Sequence, residues 1–516
     1  MAGACPNRAA LVFSNSRHTR SITFAELDAR AARLADGLYA AGLREGHRAI
    51  VLAPVSLELY VCLVALMRLG AAAVFLDPQA GRQGLDRAAA LAGAQAFIGS
   101  PKALWLRWIS PSLRRVSLHF RVSGYGPGSL GRLARLAGSR TEIADLLPEA
   151  PALITLTGGS TRSAGPRAVL RSHRLLAAQH AALAHALPVQ PGDVDLPAFP
   201  VAVLHNLASG ITSVMPDYPF RRPEAVRPAR VLRQIDQHGV TTASGSPAYW
   251  RPIAEYCRSQ GRTLSLRRIV TGGAPISPRL IQELRRAAPL AEIICLYGST
   301  EAEPVAVMPA QEFTAETARL TAEGAGIPLG HPVPDIALRV LNASGREQPA
   351  GEAGEIWVTG PHVALAGLGE PSAQAGARPQ APGVGWHPMG DVAYRDACGR
   401  LWLVGRVHTL ITRAGRVLFP VCVEAAVEML GFVRRAALVG LPDAHLGERA
   451  VLVVELDRQS GRPHDWLDQV RAVCARHDWP VDDIRTLSRL PLDARHNARI
   501  DYPRLGRGLL KIWPRR

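Results

Sequence analysis

Three short runs near the N-terminus restrict the fold more than anything else in the chain: Ala49–Leu52 reads as a strand, Leu57–Leu69 as a buried helix, and Ala71–Leu76, ending at Asp77-Pro78, as a second strand. A helix between two strands carries the chain back across the sheet, so the strands pair in parallel and not as a hairpin. Ala96–Ser100 repeats the pattern. Upstream, Thr23-Phe24-Ala25-Glu26 is a capping box, and Phe24, Leu27, Ala31, Leu34, Leu38 and Ala41 follow at helical spacing to a stop near Gly42. The expected class is α/β with parallel-type sheets. With 516 residues, 47% of them hydrophobic, the chain has material for several cores and so for two or more domains.

The apolar stretch Leu57–Leu76 is broken by Arg68 and Gly70, so it reads as helix then strand and not as a membrane span; Met1–Phe13 shows no charged-then-apolar leader. A cytoplasmic protein without a transmembrane segment is expected. Seven cysteines are scattered with no Cys-x-x-Cys pair, which argues against a zinc site or a disulfide framework. The formal charge of +17 favours polyanions in principle, but the cations look dispersed, aromatic residues make up 5% of the chain, and no basic stretch is interleaved with stacking rings. Only Lys102 and Lys511 are lysines. The charge is therefore almost all Arg, a pattern of coding bias, and no specific nucleic-acid partner is expected.

The chemistry is carried by segments far apart in sequence. Ile154–Val169 (ITLTGGSTRSAGPRAV) passes from apolar strand formers into glycines, hydroxyls and one cation. Backbone at Gly159 can approach a polyphosphate closely, the hydroxyls of Thr157, Ser160 and Thr161 can bond its oxygens, and Arg167 can offset its charge. A plain surface loop has a similar composition. Leu296–Pro304 (LYGSTEAEP) and Met389–Val407 (MGDVAYRDACGRLWLVGRV) are two further glycine-broken segments with hydroxyls, carboxylates and Arg. Together they suggest one nucleotide site assembled from distant loops.

These three segments, in this order, resemble the phosphate loop, the Y-G-x-T-E motif and the G-D…D-x-x-G…G-R motif of the adenylate-forming enzymes: acyl-CoA synthetases, peptide-synthetase adenylation domains and luciferases. The likeness extends along nearly the whole chain. It implies a large N-terminal domain, residues 1–406, of layered sheets with helices plus a small β-barrel, and a small mobile α+β lid, residues 407–516. It also implies ATP and Mg2+ as cofactors. By the resemblance Gly272, Gly273 and Ala274 pack against the adenine, Tyr297 stacks on it within the Gly298-Ser299 turn, and Thr300 bonds the α-phosphate. Glu301 supplies the oxygen ligand a magnesium ion wants, while Asp391 and Arg406 hold the ribose hydroxyls. His205, in the segment Gly192–Asn206, matches a position beside the carboxylate being activated; a satisfied histidine at a helix start is the alternative. Val363–Pro382 is expected to be an exposed loop, and Ala436–Leu441 and Val451–Glu455 strands of the lid.

Three departures from the family pattern stand out. His408 occupies the place of a hinge Asp, and with Asp493-x-Arg495-His496-Asn497-Ala498 it resembles the subgroup of fatty-acid-activating ligases and bacterial β-lactone synthetases of hydrocarbon biosynthesis. The phosphate loop is about two residues longer and carries Arg167 in place of Lys. Arg499 stands where the family has the lysine that bridges substrate carboxylate and α-phosphate; a planar fork is a different tool from a point charge. The reading is activation of a long-chain acid as acyl-AMP followed by thioester formation with CoA, with other lipid-pathway enzymes as partners. The alternatives are a β-lactone synthetase acting on a 2-alkyl-3-hydroxy acid, or a silent nucleotide- or acyl-binding protein.

Overall fold

In a computed structural model of the protein, the described residues are 1–15, 18–77, 80–124, 126–138, 142–157, 167–220, 222–365, 385–457, 461–493 and 499–512. The strand–helix–strand pattern builds a six-stranded sheet in the order Leu118–Arg121, Ala96–Gly99, Arg48–Leu52, Ala72–Leu76, Pro151–Thr157, Arg167–Ser172. Its neighbours are parallel except the last pair, which is antiparallel. Helix Leu57–Leu69 starts on a Ser56 cap and stops at left-handed Gly70; Leu63, Ala65 and Leu66 are buried. Thr23 and Glu26 form the capping box of helix Phe24–Ala40, whose apolar face joins the same core as Leu66. Deleting a buried leucine of this kind typically costs about 2–5 kcal/mol.

A second, thirteen-stranded path has a mainly parallel half that includes Val194–Pro197, Thr242–Gly245, Arg268–Gly272 and Glu292–Tyr297. It continues into antiparallel strands, among them Leu401–Arg406, His387–Arg395, Gly354–Thr359 and Ala337–Leu341. Because Gly272 pairs in register with Leu296, the glycine turn and the Tyr297 turn leave the sheet side by side at the C-terminal ends of their strands. Loops at that edge of a parallel sheet are where ligands bind.

After Arg406 the chain makes a separate five-stranded sheet: Arg416–Leu418, Ile411–Arg413, Gly447–Leu456, Val433–Asp443, with Asp483–Thr486 paired to Gly447–Leu456. The two expected lid strands lie within its central antiparallel pair. Val363–Pro382 is not wholly exposed: Val363 and Ala364 are buried beside Ala302 and Val305, because the Ala364 N–H donates to the Glu301 carbonyl at 2.7 Å and ties the segment down. Residues 366–382 lie outside the described residues. All seven cysteines are free. Among the described residues no helix is long and apolar enough to cross a membrane.

Candidate functional site

Two glycines let the central turns close up. A Cβ at Gly272 would sit 2.7 Å from the Leu296 carbonyl oxygen, and one at Gly298 would sit 2.7 Å from that of Ala302, so neither position accepts a side chain without backbone movement. The Tyr297 hydroxyl donates to Asp391 Oδ2 at 2.8 Å. Arg406, the register partner of Asp391 on the neighbouring strand, reaches Oδ1 with Nε at 2.9 Å. Burial, and then the Asp391 charge, push the Tyr297 phenol well above its usual range, so its hydroxyl remains a donor. Asp391 is thus gripped through both oxygens while keeping lone pairs for further donors. Ser299 accepts from the Glu301 N–H at 3.3 Å and turns the chain so that Thr300 and Glu301 remain half-buried.

One residue of this region was missed by sequence reasoning. Arg171 is buried at 7% exposure; its Nη1 donates to Thr155 Oγ1 at 2.6 Å and its Nη2 to the Thr300 carbonyl at 2.5 Å. It therefore staples the strand leading into the glycine-rich loop to the turn that carries Tyr297 and Glu301. Burial raises the Glu303 carboxyl above its usual range and the Arg171 charge opposes that rise. The backbones of Thr157 and Arg167 pair across the base of the loop. Gly159, Ser160 and Thr161 lie outside the described residues, as do the Thr157 and Arg167 side chains. The available signal was an Arg at an inward strand position, hidden among many other arginines.

His205 sits within helix Ala202–Ser209, whose neighbouring Asn206 donates to Asp195 Oδ2 at 2.8 Å and Ser213 Oγ at 2.9 Å. Thr242 donates to Asp195 Oδ1 at 2.7 Å, and burial pushes the Asp195 carboxyl up to about 6. That network fixes the helix against the sheet. His205 faces helix His173–Ala186, where its Nδ1 lies 2.9 Å from Nδ1 of His180. For a hydrogen bond there, one ring must carry its proton on Nδ1 and the other must accept. Burial and then His180 push His205 down to about 4, so the ring is neutral near neutral pH. Two positions before Val201, Phe199 lies 3.8 Å from where a Gly273 Cβ would stand, linking this helix to the glycine turn.

Arg499 comes from the connection between strand Asp483–Thr486 and helix Tyr502–Ile512. Its Nε donates to the Gly273 carbonyl at 3.1 Å, and its backbone is held in a turn by Asp493. Burial, then Arg406, hold its guanidinium below the usual range, while Asp391, Asp493 and Tyr297 act in the opposite sense. Arg499, Arg406, Asp391, Tyr297 and Gly273 therefore share one locale, with two guanidiniums against the central carboxylate: an arrangement suited to an anion. His408, in the turn Val407–Thr409, has its ring held below the usual range by burial and by Arg406. Asn497 and its neighbours 494–498 lie outside the described residues. Among the described residues no group of three or more His, Cys, Asp or Glu is arranged to hold a metal by itself.

The sequence model of the AMP-binding enzymes matches residues 2–366. The olefin β-lactone synthetase of Stenotrophomonas maltophilia is 34% identical over 99% of this chain and 94% of its own length. Feruloyl-CoA synthase of an Amycolatopsis species is 30% identical, over 84% of this chain and 83% of its own. In fold, the chain resembles the solved o-succinylbenzoate coenzyme A synthetase of Bacillus subtilis in complex with ATP and magnesium ion, with a TM-score of 0.78 over 98% of both chains at 23% identity.

Proposed function

The chain belongs to the AMP-binding enzyme family and is an adenylate-forming enzyme, and from that premise we propose that it activates a 2-alkyl-3-hydroxy fatty acid as acyl-AMP and closes it to a β-lactone. The observation that carries the site is the convergence of Tyr297, Asp391, Arg406 and Arg499 from segments hundreds of positions apart. Asp391, oriented by Tyr297 and Arg406, takes the ribose hydroxyls, and the turn Gly272-Gly273-Ala274 with the Tyr297 ring encloses the adenine. Thr300 and Arg499 take the phosphates, with Gly159, Ser160, Thr161 and Arg167 assigned to them by the sequence motif alone. We place the domain boundary after Arg406, where the separate sheet begins.

The acid's carboxylate oxygen attacks the α-phosphorus and the bond to the pyrophosphate oxygen breaks. This chain contributes positioning and charge: Arg499 draws two anions together, and Arg171 holds the Thr300 turn still. Glu301 offers one half-buried carboxylate, and one hard oxygen ligand with nucleotide phosphates completing the shell is how magnesium is usually held. When bound, Mg2+ would neutralise phosphate charge. In the second step the substrate's own hydroxyl oxygen bonds to the acyl carbon, AMP leaves with the bonding pair, and the proton passes to His205. In this reading His205 donates Nδ1–H to His180, and its Nε2, 3.5 Å from Ser209 Oγ, takes the proton.

The extent of likeness to the β-lactone synthetase supports the intramolecular second step. Likeness to feruloyl-CoA synthase favours the second reading, a thioester made with CoA. Incubation with ATP and a 2-alkyl-3-hydroxy acid separates them: pyrophosphate and a product one water lighter than the acid are expected without any thiol. A strict CoA requirement would establish the ligase instead, and ATP binding with no pyrophosphate from either mixture would leave a silent homologue.

A further inference from the structure

Between Asp86 and Glu142 the sequence holds nine Lys or Arg and no Asp or Glu. In the middle lies Lys102-Ala-Leu-Trp105-Leu-Arg107-Trp108-Ile109, an exception to the dispersed charge expected from the sequence. It folds as helix Pro101–Leu104, a tight turn Trp105–Trp108 and helix Pro111–Arg114, each helix capped by a serine. Its inner side is anchored: Ala103 and Leu113 are buried with Ile50, Val74 and Phe97, and the Asp86 carboxylate accepts from Ser110 Oγ at 2.6 Å and the Ser112 N–H at 2.9 Å. Its outer side presents Trp105 at 72% exposure, Trp108 at 60% and Ile109 at 43%. Of the described tryptophans these two alone are exposed.

The cations frame the rings. The Arg107 guanidinium lies 5.1 Å from the Trp108 ring centroid, Arg114 donates to the Trp108 carbonyl at 2.9 Å, and Arg82 donates to that of Ile109 at 3.1 Å. Lys102, Arg114 and Arg115 are exposed around them. Two large apolar rings projecting into water are a liability unless something covers them. Trp settles at the headgroup level of a bilayer, and Lys and Arg beside it are drawn to anionic lipid. The patch belongs to the Ala96–Gly99 and Leu118–Arg121 edge of the six-stranded sheet, at the far side in strand order from Pro151–Thr157 and the candidate site.

We propose that this face docks the protein on an anionic membrane surface, Trp105, Trp108 and Ile109 entering the interface and Lys102, Arg107, Arg114 and Arg115 pairing with lipid phosphates. The docked edge is the one farthest in strand order from Pro151–Thr157, and docking brings the enzyme to a surface where long acyl chains partition. The test uses the full chain with extruded vesicles of phosphatidylcholine, alone or mixed with phosphatidylglycerol. Co-sedimentation with the mixed vesicles only, weakened by salt, is expected. Trp105→Ser/Trp108→Ser should lower the bound fraction roughly tenfold, and Arg107→Gln/Arg114→Gln/Arg115→Gln should abolish the preference for anionic lipid, both with unchanged melting temperature. Failure of the native chain to bind mixed vesicles, or binding unaltered by the double Trp variant, would overturn the proposal. So would a Trp-dependent change in assembly mass by light scattering without vesicle binding, which would assign the face to a protein partner.

Discussion

The two halves of the candidate site are held in different ways. Asp391 and Arg406 are register partners in adjacent strands, and Tyr297 ends a strand of the same continuous sheet, so their mutual geometry is backed by a ladder of backbone bonds and by a buried cluster that includes Val305, Ile356 and Val358. Arg499 reaches the same place from the lid through one hydrogen bond to Gly273. The lid is docked by polar contacts, Arg279 to the Gly431 carbonyl at 2.9 Å and to Asp457 at 3.0 Å and Arg251 to the Arg434 carbonyl at 3.2 Å, and by buried apolar ones, Ala425 with Ile327 and Leu403 and Cys422 with Val392 and Val404. The partly exposed polar contacts contribute little each, so the apolar contacts of helix Pro420–Glu428 carry most of the docking. The cradle is thus held by strands, whereas the cation is held at the site by a single hydrogen bond to Gly273.

The contrast breaks most severely at Asp391. Asp391→Ala removes the acceptor of both Tyr297 and Arg406 and leaves the buried Tyr297 hydroxyl and a partly exposed cation without their shared partner. Pyrophosphate release is expected to fall in kcat/KM by roughly 10³-fold, about 4 kcal/mol, and the second step from supplied acyl-adenylate should fail as well, because the cradle serves both. Arg499→Ala should act on one step alone. Loss of roughly 10²-fold in pyrophosphate release, about 3 kcal/mol, with conversion of supplied acyl-adenylate retained, is expected from removing one charge at the reacting phosphate. Equal losses in both steps would remove the distinction between cradle and lid. Arg499→Lys would show whether the planar fork is needed or merely tolerated.

The cradle was more legible in sequence than the lid. Tyr297, Asp391 and Arg406 stand in glycine-broken motifs at strand ends, where local pattern and function coincide, and the parallel sheet followed from the order of apolar runs. His180 and Arg171 carried no such mark. Each depends on a partner, His205 or Thr300, that only the packed fold brings within reach. The basic, tryptophan-bearing segment was hidden for the opposite reason: averaged over the chain its charge looked dispersed, and only burial separated its inner residues from its outer ones. The lid contacts of Arg279 join residues 178 positions apart, and no periodicity reports such a pair.

A smaller effect is expected where the docking contacts are thinned. Arg279→Ala removes the carbonyl and Asp457 contacts without touching the site. It should lower pyrophosphate release by roughly fivefold, about 1 kcal/mol, and leave conversion of supplied acyl-adenylate unchanged or faster, since the lid is freed and not damaged.

The last expected effect falls on the lid's own stability and not on the reaction. Glu424 lies buried in helix Pro420–Glu428, accepting from the Leu438 N–H at 2.8 Å and from the Tyr502 hydroxyl at 2.8 Å, and burial pushes its carboxyl from 4.5 up to about 8. An acid whose folded value is raised binds its proton more tightly folded than unfolded. Below 4.5 both states are protonated and nothing is lost; from there to about 8 the unfolded state ionises first, and stability falls as pH rises. Glu424→Gln keeps an acceptor for Leu438 and Tyr502 but has no proton to lose. Lid unfolding, followed by hydrogen exchange at Leu438 between about pH 5 and about pH 9, should therefore depend less on pH in the variant, by on the order of 2 kcal/mol across the window. Exchange near Val358 in the cradle should not respond. A matching response there would mean that the two regions unfold as one, joined by the buried contacts of Ala425 and Cys422 with the cradle strands more firmly than the surface arginines alone would allow.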